Sequence, residues 1–256
     1  MSSRGSALKL ALLALPLAAG TATLHAAGEP VGRAARKMVA LASYPAHEHG
    51  AFVVRVRRGS DYHEAVAKTL DEFLRGLAAT YGLGKIAGPV AVLVVEGEND
   101  LARLGFNLQM LEGGGLTDAA SGTIAVVTGG RIYHPEQDAR ILRRVLARLV
   151  FARAPFPWLV SGIGSYFETI PPGAPGAGRI SDDDLPALSE LLTARESRFR
   201  GPGSARFAES ARLLVAFLMD EEREELLSIL RGASPAFLDD LGGLDARWRL
   251  WVHRGK

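Results

Sequence analysis

The sequence predicts an α+β fold: a small N-terminal sheet with helices, followed by a mostly helical C-terminal half. Three observations predict it. Short β-rich runs bounded by glycine fall in the first half of the chain, whereas beyond Asp138 apolar residues recur at helical spacing. Of the 256 residues, 48% are hydrophobic, enough for one sizeable core. Strands and helices segregated along the chain in this way favour helices packed on one side of the sheet.

The elements follow in order. Ala51–Arg58 (AFVVRVRR) lies between Gly50 and Gly59 and reads as a strand. Asp61–Tyr81 reads as a helix, with Ser60 or Asp61 as its N-cap and Ala65, Leu70, Phe73, Leu74 and Leu77 on one face. Val90–Val95 (VAVLVV) is apolar throughout, as a central strand would be. A short helix is expected at Asn99–Leu104, a flexible turn at Gly113-Gly114-Gly115 and a third strand at Thr123–Thr128. Helices are then expected at Asp138–Ala152, Trp158–Ile170, Leu185–Ser197, Ala205–Met219, Glu221–Arg231 and Ala246–His253. Residues 171–179 form a Pro/Gly-rich loop between them.

The N-terminus has a different character. Arg4 and Lys9 precede an apolar run from Leu8 to Ala19, and small residues around Ala26 supply a cleavage site. This is the layout of a secretory signal peptide over residues 1–27. Residues 28–50 read as a loosely held leading segment, and 51–256 as a single domain, with a sheet-containing part at 51–137 and a helical part at 138–256. A secreted or periplasmic location is expected, with no membrane span after cleavage. Residues 1–27 hold two basic and no acidic residues, so the remainder carries 28 Lys+Arg against 28 Asp+Glu. That balance, with no aromatic-and-basic recognition pattern, argues against nucleic acid as a partner. There is no cysteine, which excludes disulfides, a thiolate metal site and a lipid-modified N-terminal cysteine.

The stretch Ile141–Glu168, ILRRVLARLVFARAPFPWLVSGIGSYFE, carries the most chemical information. It resembles the core of the peptidase MA-like, gluzincin families of zinc metallopeptidases, which have a zincin-like fold. Those families carry H-E-x-x-H on one helix, then a Pro-Trp-Leu turn and a second helix that supplies a glutamate ligand. Pro157, Trp158, Leu159, Gly162, Tyr166, Phe167 and Glu168 fall where that pattern places them. Twelve residues separate Arg148 from Ser161, matching the spacing between second histidine and glutamate. In this register Arg144 and Arg148 occupy the histidine positions and Val145 the general-base position. Ser161 stands at the glutamate ligand, and Ser165 at a later glutamate. Arginine has no lone pair for a metal, and valine cannot move a proton. The resemblance therefore implies a pseudopeptidase with no metal, no cofactor and no catalytic residue, and the N-terminal layout implies that it is secreted. Its partner would be a peptide, an envelope component, an anionic ligand or another protein.

Two readings of the arginines are open. Arg140, Arg143, Arg144 and Arg148 can form the solvated face of an amphipathic helix, which helical periodicity favours. Alternatively Arg144 and Arg148, with Ser161 and Ser165, line a cationic ligand cleft suited to a carboxylate or phosphate. Trp158, Tyr166 and Phe167 read as core, and Glu168 as a cap or a partner for a nearby arginine. The functional alternative is an active hydrolase or metallopeptidase with displaced residues, drawing on His47 and His49 in a loop, His63 or His134. A further alternative is a partner-binding scaffold with an exposed apolar stripe beyond Ala205. Gly162-Ile163-Gly164-Ser165 lacks the order of a nucleophile elbow, and Gly82-Leu83-Gly84 lacks the third glycine of a dinucleotide loop.

Overall fold

A computed structural model describes residues 42–254, apart from 85, 87, 131–132, 155, 170–171, 173–183, 201–203, 232 and 234–238. The expected signal peptide, residues 28–41 of the leading segment and most of the Pro/Gly-rich loop lie outside the described residues. The described chain is mixed α+β, with a five-stranded sheet and several helices.

The sheet contains β1 (Ala46–His49), β2 (Phe52–Arg55), β3 (Val90–Val95), β4 (Gly115–Asp118) and β5 (Thr123–Val127), in the order β1-β2-β3-β5-β4. β2, β3 and β5 run parallel, and β1 and β4 are antiparallel edge strands. Two strands were not expected from the sequence. β1 falls within the leading segment, so His47-Glu48-His49 is strand and not loop. It pairs with β2 through a tight turn in which Gly50 takes φ +57°. β4 begins at the last glycine of Gly113-Gly114-Gly115, which is a tight hairpin and not merely a flexible turn. Both strands are edge strands four residues long, too short to show a clear period of two. The strand expected at Ala51–Arg58 is shortened to Phe52–Arg55.

The helices are α1 (His63–Tyr81), α2 (Glu98–Arg103), α3 (Pro135–Val150), α4 (Pro157–Tyr166), α5 (Leu188–Thr193), α6 (Ala205–Glu221), α7 (Arg223–Leu230) and α8 (Leu241–Arg254). The residue before α1 is Tyr62, and no side chain caps it, so neither Ser60 nor Asp61 serves. Pro135 and Pro157 open α3 and α4, where a missing N–H costs nothing. Buried Asp138 accepts from the His134 backbone N–H at 2.6 Å, while His134 Nδ1 accepts from Gln137 N–H at 3.4 Å. His134 is therefore the N-cap of α3 and no member of a histidine site. The expected helix Leu185–Ser197 divides into α5 and a 3₁₀ turn at Glu196–Phe199.

The alternation of β3 explains the layering. Val90, Val92 and Val94 face α1 and α3, together with Ile124 and Val126 of β5. Leu93 and Val95 point to the other face, where Leu101 and Leu104 in and after α2 cover them with Leu116 of β4. Both faces of the sheet are thus buried, the second by a short helix, which corrects the one-sided expectation. A third cluster joins α4 to α6 and α8 around Trp158, Phe217 and Trp248. Full burial of a side chain of this size contributes about 2–3 kcal/mol. Trp158, Tyr166 and Phe167 are 1%, 8% and 2% exposed, so they are core as expected. The apolar side of α6, including Phe207, Leu214 and Leu218, is buried as well, which removes the exposed stripe expected there. Among the described residues no helix is long and apolar enough to cross a membrane.

Candidate functional site

α3 and α4 meet at glycine. A Cβ on Gly164 would lie 2.7 Å from Arg148 Cγ and 3.2 Å from the Arg144 carbonyl oxygen. A Cβ on Gly162 would strike the Ala211 carbonyl of α6 from the other side. The two glycines of α4 let three helices approach closely around Ser161. The hairpin before β4 is closed in the same way. A Cβ on Gly115 would lie 2.6 Å from Val145 Cγ1, and one on Gly113 2.8 Å from Arg144 Nη2. Gly113 and Gly114 also take φ +51° and +78°, a conformation that suits glycine.

Into this junction point Arg144 and Arg148, each 8% exposed. They are not a solvated face, and the periodicity argument fails for a physical reason. A helix packed on both sides by β4–β5 and α4 keeps few positions in water, so its charged residues must find protein partners. Arg148 donates from Nη1 and Nη2 to the two carboxylate oxygens of Glu112, at 2.6 and 3.0 Å. Its Nη2 also reaches Ser161 Oγ at 3.5 Å. Arg144 donates from Nη2 to the carbonyls of Glu112 and Gly113, both at 2.7 Å, and from Nη1 to Glu168 at 3.2 Å. Arg143 donates to the Glu168 carbonyl at 2.9 Å, and Arg140 lies 3.7 Å from the Glu168 carboxylate. Burial pushes the Arg144 guanidinium below its usual range, and Glu168 and Glu112 oppose that shift. The Nε groups of Arg144 and Arg148 are buried without a hydrogen-bond partner.

The structure therefore brings Arg144, Arg148 and Ser161 together, but not as a vacant cationic cleft. Two carboxylates already neutralise the two guanidinia. A cleft of about 380 Å³ opens beside the junction, with Arg148, Glu112 and Ser161 in its wall and Thr117 and Asp118 of β4 along one side. Arg144 and Ser165 are not among its lining residues. Val145 is 1% exposed and packs on Gly115 and the sheet core. The residues at this junction do not fit zinc: the side chains that converge there with the carboxylates are guanidinia and a hydroxyl, and the space is filled by the guanidinium–carboxylate pairs. Among the described residues no group of three or more His, Asp or Glu is gathered to hold a metal ion.

Glu112 was not singled out from the sequence. The available signal was an acidic residue immediately before a run of glycines, opposite a helix whose arginines recur at i and i+4. The partner of Glu168, by contrast, is an arginine as expected. Of the candidate histidines, His47, His49 and His63 come together at the β1 edge, whereas His134 stands apart. In comparisons with known proteins, no family model matches the chain, and no curated protein matches it.

Proposed function

We propose that this is a secreted, catalytically inert peptidase-like protein of zincin-like fold, which holds an extended peptide in the cleft beside α3 and α4. The observation that carries this reading is the pair of internal ion pairs, Arg148–Glu112 and Arg144–Glu168, standing where the resemblance places zinc ligands. A general base would need a carboxylate where Val145 is packed. What favours a peptide is the position of β4. It is an edge strand, its residues Thr117 and Asp118 line the cleft, and an extended chain can pair with such an edge. Gly115 already exchanges backbone hydrogen bonds with Glu112, leaving the Thr117 end as the place to pair.

The test is a peptide panel scored for both binding and cleavage, with Ala120→Trp as a cleft-filling variant. Saturable binding that Ala120→Trp weakens, without cleavage, is the expected result. Chelator-sensitive cleavage by the wild-type chain would overturn the reading, and so would binding that the variant leaves unchanged.

A further inference from the structure

Three of the chain's six histidines meet at the sheet edge opposite to β4. His47 and His49 are two apart on β1, so both side chains project from the same face of the strand, and His63 opens α1 beside them. His49 Nε2 lies 2.9 Å from His63 Nδ1. The His47 ring stacks on the His63 ring with centroids 3.8 Å apart and planes 7° from parallel. All three side chains are partly exposed, so ions and water can reach them. No carboxylate takes part in these contacts, which leaves the imidazoles to satisfy one another.

We infer that His49 and His63 form a two-imidazole chelate for a borderline transition-metal ion of the zinc, nickel or copper type. His47 acts as a positioning residue that fixes the His63 ring. The distances support this. Two imidazole nitrogens at about 2.0–2.1 Å from a tetrahedral ion stand roughly 3.3 Å apart, so the observed pair must open by about 0.4 Å and the rings must turn until both lone pairs point at one ion. Without an ion, one of the facing nitrogens carries the proton of the hydrogen bond. On chelation that ring changes tautomer, its proton moves to the distal nitrogen, and both neutral rings offer a lone pair. Softer N-donor sites select these ions over magnesium or calcium. The three rings do not form a closed three-ligand cage, so water completes the coordination. The ion would also tie edge strand β1 to α1.

Zinc or copper(II) titrated into the EDTA-stripped full chain tests the site, by calorimetry and by the nitrogen couplings in the copper(II) resonance spectrum. One saturable ion per chain with two nitrogen ligands is expected. His49→Gln and His63→Gln each abolish saturation, and His47→Ala weakens it roughly tenfold. Circular dichroism of the metal-free variants confirms folding. Copper(II) affinity unchanged in His49→Gln and His63→Gln would overturn the inference, as would loss of affinity in His134→Ala. The site lies across the sheet from Arg148, so an ion lost in His49→Gln is separable from any ion held between α3 and α4.

Discussion

Arg148 of α3 grips both carboxylate oxygens of Glu112, 36 residues earlier in the chain, with neither side chain more than 18% exposed. The pair closes the β4 hairpin onto the helix. Glu112→Ala leaves a guanidinium buried with only Ser161 nearby, and should destabilise the protein by about 3 kcal/mol or more. The double change Glu112→Leu with Arg148→Met removes both charges and should recover most of that loss. Urea unfolding of the two singles and the double measures the coupling. Additive losses would mean that the pair does not act as a unit.

The glycines of α4 give a second prediction. Gly162→Ala drives a methyl group into the Ala211 backbone, which cannot move aside like a side chain. A loss of about 1–3 kcal/mol follows from overpacking. Gly76 in α1 is the control, since a Cβ there meets nothing within 4 Å. Gly76→Ala should stabilise by roughly 0.5–1 kcal/mol, the helical preference of alanine over glycine. Thermal unfolding should move in opposite directions for the two variants.

Legibility from sequence divides along similar lines. β3, α1 and α3 were legible because a six-residue apolar run and long periodic stretches repeat their signal many times. β1 and β4 were not, since four residues at an edge are set by pairing with β2 and β5. The aromatic frame of α4 was legible in Trp158, Tyr166 and Phe167. The state of Arg144 and Arg148 was not, because a helix with one arginine stripe looks the same whether water or Glu112 and Glu168 receive it. The convergence of His47 and His49 with His63 likewise depends on β1 being a strand.

A third prediction concerns alkaline pH. Burial, followed by a 2.9 Å hydrogen bond to Asp100 and its charge, pushes the Tyr44 hydroxyl from 10.0 up to about 12. The folded state therefore holds the Tyr44 proton where the unfolded chain releases it. The associated stability is fully present below pH 10.0 and is lost as pH rises through about 12. Burial raises Tyr62 and Tyr133 as well, so the whole protein should weaken in this window. Tyr44→Phe should flatten part of the slope, as read from denaturant midpoints at successive pH values. An unchanged slope would remove Tyr44 from the account.

Val145 gives the last prediction, because its packing decides whether the position can hold a charge. Its side chain is 1% exposed, lies against Gly115 and belongs to the core between α3 and the sheet. Val145→Glu would place a carboxylate where a valine methyl now fits, and the neighbouring guanidinia are already engaged by Glu112 and Glu168. Destabilisation of roughly 3 kcal/mol or more is expected. The penalty should shrink as pH falls, since the neutral acid is easier to bury than its anion. Urea midpoints at neutral and acidic pH measure both effects. A variant as stable as wild type at neutral pH would mean that the position accommodates a buried charge. The packing of Val145 on Gly115 argues the opposite: the hairpin occupies the space that a carboxylate would need.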